Sequence, residues 1–167
     1  AQPGPRIDIS RGTPRKGKAV IPNPIEAPTA IEILLVEDSP GDVRLTREAL
    51  RDAKVQNNLH VALDGIEAMK FLGRDGAHAD APRPDLILLD LNLPRMSGRE
   101  VLEQIKQNAS LKSIPVVILT TSAAEEDIIR SYQLHANFYI TKPVGLDQFI
   151  KVVKTIDNFW LAIVKLP

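Results

Sequence analysis

The stretch IEILLVED at residues 31–38 decides the fold. Its first six residues are aliphatic and β-branched, apart from one Glu, and its last two are acidic. The same pattern returns as LILLD at residues 86–90, where an apolar run again ends in an acidic residue. Nearly continuous apolar runs of this length are typical of parallel strands that helices cover on both faces. These two runs therefore predict an α/β fold.

Working outward from these runs, short apolar segments alternate with longer amphipathic ones along the chain. Strands are predicted over residues 31–36, 58–63, 86–89, 115–120 and 138–141. Helices are predicted over about 40–53, 65–73, 98–107, about 124–133 and from 146 onward. Five β/α repeats predict a doubly wound, five-stranded parallel sheet with helices on both faces. Ligands of such sheets bind at the carboxyl ends of the strands.

The first 30 residues differ in composition from the rest of the chain. They contain six of the 13 prolines, and five basic residues against two acidic ones give them a charge of +3. Because the whole chain is neutral, the remaining residues carry −3. We predict a flexible, proline-rich leader over residues 1–30 and one folded domain over residues 31–167. The alternative for the leader is a basic arm that docks on an acidic partner or on nucleic acid.

Composition excludes several classes of protein. The chain has no cysteine and only 3 histidines, so we expect no disulfide, thiolate metal site, cysteine nucleophile or zinc site. No apolar run reaches the length of about 18 residues that a membrane-spanning helix needs. A net charge of zero gives no general attraction to nucleic acid. We therefore expect a cytoplasmic protein without direct nucleic-acid or membrane binding.

Polar residues stand at the carboxyl ends of the predicted strands: Glu37 and Asp38, then Asp90, Thr120 and Lys142. Three carboxylates at one sheet edge repel each other, and hard oxygen ligands of this kind favour Mg²⁺ or Mn²⁺. The Lys142 ammonium and the Thr120 hydroxyl complement phosphoryl oxygens, and the Asp90 carboxylate is the candidate nucleophile. Each residue alone has a plainer interpretation as a turn former, helix cap or surface lysine. It is their conjunction that favours phosphoryl transfer.

Four motifs around these residues are specific: LVED at residues 35–38, DLNLP at 90–94, LTT at 119–121 and YITKP at 139–143. Gly98 lies eight residues after Asp90. Together they resemble the receiver domain of two-component response regulators, over about residues 31–159. The resemblance implies a flavodoxin-like receiver fold with strand order 2-1-3-4-5. It also implies a phosphoacceptor signalling protein, which assists its own phosphotransfer and dephosphorylation, rather than an enzyme.

The resemblance assigns a role to each motif residue. Asp90 would accept the phosphoryl group, and Mg²⁺ would be held by Glu37, Asp38, Asp90 and the backbone carbonyl of Asn92. Phosphate binding and switching would involve Thr120, Thr121, Tyr139 and Lys142. The peptide bond between Lys142 and Pro143 would be cis. Phosphorylation would change the surface of the fourth predicted helix, the fifth strand and the final helix.

Smaller features suggest a subgroup of the family. SPGD at residues 39–42, TTS at 120–122 and the long loop at residues 73–84 resemble the stand-alone receivers that pair with bacterial phytochrome histidine kinases. The resemblance implies a single-domain regulator whose partners are a phytochrome-type sensor kinase and a downstream phosphotransfer protein or effector.

The final predicted helix carries an apolar stripe that is wider than one sheet contact requires. We predict a homodimer that uses this stripe, or alternatively a helix that is buried more deeply within its own chain. The candidate contact residues are Phe149, Val153, Ile156, Phe159 and Trp160.

Two other functions remain open at this point. A pseudo-receiver would keep the fold as a binding module without phosphorylation, and inability to bind Mg²⁺ or beryllofluoride would favour it. An aspartyl-phosphate hydrolase of the haloacid dehalogenase type would carry a second Asp two residues after the first. Asn92 occupies that position after Asp90, which argues against this hydrolase.

Overall fold

The computed structural model describes residues 30–54, 56–121 and 138–154. Its strands are β1 (Ile31–Val36), β2 (Asn57–Ala62), β3 (Leu86–Asp90), β4 (Val116–Thr120) and β5 (Phe138–Thr141). They form one parallel sheet in the order β2-β1-β3-β4-β5. The structure thus confirms the predicted α/β fold and its strand order.

Four α-helices lie in the described residues: α1 (Pro40–Asp52), α2 (Gly65–Gly73), α3 (Gly98–Gln107) and α4 (Leu146–Lys154). A single 3₁₀ turn at Gly76–His78 lies in the loop before β3. The helix predicted over about 124–133 and nearly all of the predicted leader fall outside the described residues. None of the described helices is long and apolar enough to cross a membrane.

Side chains of the central strands alternate between two buried clusters, one on each face of the sheet. On β1, Ile33 and Leu35 join the cluster that α1 and α4 cover, and Leu34 and Val36 join the cluster that α2 and α3 cover. All four side chains are fully buried. Burial on both faces explains why β1 reads as a nearly continuous apolar run rather than as an alternating one.

The structure corrects one predicted dimer contact. Phe149 is 0% exposed and belongs to the cluster between the sheet, α1 and α4, so its ring stabilises the fold of its own chain. The reason is its place one turn into α4, on the side that faces the sheet. The side chain of Val153 and all of Ile156, Phe159 and Trp160 lie outside what the structure describes.

Three helices begin at the carboxyl edge of the sheet with polar caps. The side chains of Ser39 and Asp64 accept hydrogen bonds from the backbone N–H groups of Asp42 and Glu67, which starts α1 and α2. Ser97 starts α3 with a reciprocal capping box that Glu100 completes. These caps fix where each helix leaves the edge on which the predicted site residues stand.

Gly98 lets α3 start directly against the end of β3. A Cβ at this position would overlap the backbone oxygen of Asp90, so the site has no room for any side chain. Gly65 plays the same role for α2, where a Cβ would meet the backbone oxygen of Met96 at 2.3 Å. Both helix starts are therefore held against the loop that follows Asp90 by backbone contact.

Candidate functional site

The register of the sheet brings the predicted strand-end residues to one edge. Val36 at the end of β1 pairs with Leu89 on β3, so Glu37 and Asp90 follow side by side. Thr120 at the end of β4 pairs with Thr141, the residue before Lys142. The backbone N–H of Lys142 donates to the Thr120 carbonyl at 2.7 Å.

Three carboxylates meet at this edge. Glu37, Asp38 and Asp90 each place one oxygen atom within 4.8 Å of the others. Glu37 and Asp90 are buried, at 1% and 3% exposure, whereas Asp38 is exposed. Mutual repulsion between buried carboxylates makes such a cluster costly unless a positive charge compensates it.

Lys142 supplies part of that compensation. Its Nζ donates hydrogen bonds to Asp90 Oδ2 at 2.9 Å and to Asp42 Oδ2 at 3.2 Å. Glu37 Oε2 is even closer, at 2.7 Å, but the contact lies outside hydrogen-bond geometry. Within the described residues this buried carboxylate oxygen therefore has an ionic neighbour but no hydrogen-bond donor. The peptide bond that follows Lys142 is cis.

The pKa values of Glu37 and Lys142 reflect the burial of these charged groups beside one another. Burial raises the pKa of Glu37 from 4.5 to about 7, and the charge of Asp90 adds to this effect. The ammonium of Lys142 and the backbone N–H of Ser39 act in the opposite direction without cancelling it. For Lys142 itself, burial lowers the pKa, but contacts with Glu37 and Asp90 outweigh burial and raise it. Lys142 therefore stays charged.

The donor set fits a hard divalent cation. All three clustered side chains are carboxylates, which are the oxygen ligands that hard divalent cations prefer. Cysteine, the ligand that would favour softer metals, is absent from the sequence. The exposure of Asp38 gives the cluster one side open to water.

The remaining predicted residues lie around this cluster in different settings. The exposed Asn92 donates its backbone N–H to Asp90 Oδ1 at 3.2 Å. Thr120 is 0% exposed, and its hydroxyl has no hydrogen-bond partner in the part of the chain that the structure describes. Thr121 is exposed. Tyr139 is half-buried against the cluster between the sheet, α2 and α3.

Sequence reasoning missed Asp42 as a member of the site. Asp42 lies in the first turn of α1 and contacts Lys142 across a separation of 100 residues. One available signal was its position, because the first turn of a helix that follows β1 must lie at the carboxyl edge.

A second contact that the sequence did not reveal holds the loop after Asp90. Arg95 has a φ of 68°, an uncommon left-handed conformation for a residue with a side chain. Its guanidinium donates to Asp64 Oδ2 at 3.1 Å, which ties this loop to the N-cap of α2.

Comparison with known proteins agrees with this geometry. The family model described as the response regulator receiver domain matches residues 33–154. Response regulator Rcp1 of Synechocystis sp. is 53% identical over 135 residues, which are 81% of this chain and 92% of Rcp1. The structure of Mn²⁺-bound Rcp1 covers 82% of this chain and 99% of its own, with a TM-score of 0.65 and 52% identity.

Two further solved structures are similar. The bacteriophytochrome response regulator AtBRR has a TM-score of 0.75 and 43% identity, over 80% of this chain and 96% of its own. The phosphorylated cyanobacterial phytochrome response regulator RcpA has a TM-score of 0.67 and 51% identity, over 83% and 99%. The match of the family model and these identities show that the chain belongs to the response regulator receiver domain family.

Proposed function

We propose that this chain accepts a phosphoryl group on Asp90 from a phosphohistidine of a sensor histidine kinase, in a reaction that depends on Mg²⁺. The observation that carries the proposal is the Lys142 ammonium, held 2.9 Å from Asp90 within the cluster of three carboxylates. This arrangement pairs a nucleophilic carboxylate with a fixed positive charge at the place where the phosphoryl group would arrive.

In the proposed step, a carboxylate oxygen of Asp90 attacks phosphorus and an oxygen–phosphorus bond forms. The phosphorus–nitrogen bond to the kinase histidine breaks, and its electron pair stays on the imidazole nitrogen, which takes a proton. Lys142 faces the negative charge of the transferring group. Glu37, Asp38, Asp90 and the backbone carbonyl of Asn92 would hold Mg²⁺. The bound cation would supply additional positive charge to the phosphoryl oxygens.

The proposed switch begins at Thr120. Its buried hydroxyl is without a hydrogen-bond partner among the described residues, so it is available to donate to a phosphoryl oxygen. Tyr139 lies on the neighbouring strand, paired with Ile118 two residues before Thr120. Movement of Thr120 toward the phosphate, with the backbone of Thr121 as a further donor, would let Tyr139 change its position. The phosphate would thereby alter the surface formed by β5 and the helices beside it.

For the partner, we propose a phytochrome-type histidine kinase. The support is the similarity of this chain to AtBRR and RcpA, which are phytochrome response regulators. A downstream phosphotransfer protein or effector would then recognise the phosphorylated form. Profiling phosphotransfer from a panel of histidine kinases tests the pairing. Rapid transfer from an unrelated kinase alone would contradict the photoreceptor partner and leave the acceptor role intact.

The phosphoacceptor role is tested by intact-protein mass spectrometry after incubation with acetyl phosphate and Mg²⁺. We expect the wild type to gain one phosphoryl group and Asp90→Asn to gain none. Asp85→Asn is the matched control, because it removes a carboxylate just before the same strand, at the opposite end from Asp90. It should gain the same mass as the wild type. An equal gain by Asp90→Asn would exclude Asp90 as the acceptor.

A further inference from the structure

We infer that Asp42 is a positioning residue for Lys142, which keeps the ammonium at the pocket while the charge around it changes. The inference rests on the proposed function of Asp90. It concerns a carboxylate that stands outside the group of Glu37, Asp38 and Asp90.

The contact itself is direct. Asp42 Oδ2 accepts a hydrogen bond from Lys142 Nζ at 3.2 Å. The two side chains are partly exposed, at 33% for Asp42 and 13% for Lys142, whereas the side chain of Asp90 is 4% exposed. Asp42 therefore contacts the ammonium from the solvent side and Asp90 from the buried side.

The backbone of Asp42 is fixed at the start of α1. Its N–H donates to the Ser39 side chain at 3.3 Å, and its carbonyl accepts from the Thr46 hydroxyl at 2.9 Å. A carboxylate in the first helical turn is also stabilised by the positive end of the helix dipole. The backbone from which the Asp42 carboxylate extends is thus held in place beside the pocket.

Phosphorylation would change the other partners of Lys142 but not Asp42. An acyl phosphate on Asp90 removes the negative charge of that carboxylate and places phosphoryl oxygens nearby. Glu37 is also paired with Lys142, at 2.7 Å, but it belongs to the cluster that fits a divalent cation, and a bound cation would compete with the ammonium for its charge. Asp42 is then the carboxylate partner of Lys142 that neither carries the phosphoryl group nor belongs to the cation cluster. It would restrict the long lysine side chain to conformations in which the ammonium faces the phosphoryl group.

Asp42 also has an effect of opposite sign, because its negative charge repels a phosphoryl group. The two effects are separated by two substitutions. Asp42→Asn keeps an oxygen that can accept from Lys142 but removes the charge, whereas Asp42→Ala removes both. If positioning dominates, Ala impairs the site and Asn largely rescues it. If repulsion dominates, both substitutions improve phosphorylation.

The experiment measures the initial rate of phosphorylation by acetyl phosphate and the Kd of beryllofluoride, both with saturating Mg²⁺. For Asp42→Ala we expect a rate about three- to tenfold lower and a Kd higher by a similar factor, the size expected for one partly exposed, charge-assisted hydrogen bond. Asp42→Asn should stay within about twofold of the wild type. Asp52→Ala is the control, since it removes an exposed carboxylate from the far end of the same helix.

Coupling to Lys142 is tested by repeating the Asp42→Ala substitution in a Lys142→Met background. There the effect should disappear, because the two residues act through one contact. An undiminished effect, or faster phosphorylation of both Asp42 variants, would contradict the inference. If the wild type took up neither phosphoryl group nor beryllofluoride, the proposed function itself would fail. The NMR signal of the Lys142 ammonium in metal-free protein would then still report whether Asp42 holds it: a signal that Asp42→Ala leaves unchanged would contradict the positioning role.

Discussion

Glu32 and Glu37 stand at opposite ends of β1, and their carboxylates differ in burial and in hydrogen bonding. The Glu32 carboxylate accepts a hydrogen bond from Asn58 Nδ2 at 2.8 Å and lies 2.6 Å from His60 Nε2. Although slight burial opposes it, these partners lower the pKa of Glu32. Glu37 is 1% exposed, has an oxygen without a hydrogen-bond donor, and has a pKa raised to about 7, chiefly by burial.

The difference shows at which end of the sheet the fold leaves buried polar atoms without hydrogen-bond partners. At the amino end of the strands, the backbone N–H of Glu32 donates to Asp85 at 2.8 Å, so the polar groups satisfy one another. At the carboxyl end, Glu37 and Thr120 each bury an oxygen atom without a hydrogen-bond partner in the described chain. Buried polar atoms of this kind are costly to a fold and are concentrated where a ligand completes them. The carboxyl end is therefore the end of the sheet at which we expect a ligand to bind.

The largest expected effect comes from breaking the backbone contact under the carboxyl edge. In Gly98→Ala, the new methyl group would meet the Asp90 carbonyl, so α3 or the end of β3 must move. We expect a loss of about 3 kcal/mol in the free energy of unfolding, measured by urea denaturation. Gly41→Ala is the control, because the nearest atom to its new Cβ is 3.9 Å away. It should be neutral or raise stability by up to about 1 kcal/mol, since Ala is the better helix former.

A Gly98→Ala protein as stable as the wild type would show that the end of β3 adjusts freely. The geometry around Asp90 would then not depend on the close start of α3.

The sequence was sufficient to predict the sheet and the edge on which the site lies. Runs such as residues 31–36 and 86–89 are apolar because both faces of each strand are buried, and the structure pairs them in parallel. Parallel register then forces Glu37, Asp90 and Lys142 to one edge. The common edge follows from the alternation of strands and helices along the chain, whereas the strand order was implied by the resemblance to receiver domains.

The sequence did not predict the features that depend on contacts between particular side chains. Asp42 reaches Lys142 across 100 positions through side-chain conformations that no periodicity encodes. Phe149 was predicted as a dimer contact because an apolar stripe does not reveal which of its sides the sheet covers, and the structure buries it. The opposite pKa shifts of Glu32 and Glu37 likewise depend on local donors and burial, not on residue type.

The next largest effect is expected at the carboxyl end of the sheet, from the buried carboxylate of Glu37. The folded pKa of Glu37 lies above its ordinary value of 4.5, so the folded protein holds this proton more tightly than the unfolded chain does. Metal-free wild type should therefore lose stability as pH rises from 4.5 to about 7, and Glu37→Gln should lack this loss. At pH 8 we expect Glu37→Gln to be more stable by on the order of 2 kcal/mol.

The measurement is chemical denaturation of both proteins at a series of pH values, with and without Mg²⁺. Mg²⁺ should stabilise the wild type and have little effect on Glu37→Gln, because the substitution removes one carboxylate of the cluster. A difference between the two proteins that is constant from pH 4.5 to 8 would contradict the assigned cause.

The smallest effect is expected at the amino end of the sheet, where the Glu32 carboxylate has hydrogen-bond partners. The lowered pKa of Glu32 means that its stabilising contribution is present above 4.5 and is lost as pH falls through the folded pKa, the reverse of Glu37. Glu32→Gln should cost about 0.5 kcal/mol at neutral pH, since the carboxylate is partly exposed, and nothing once both states are protonated. Asn58→Ala removes one donor and should reduce the effect of Glu32→Gln in the double variant. If both glutamates changed stability in the same direction with pH, local hydrogen bonding would not explain their difference, and position along the strand would have to be considered instead.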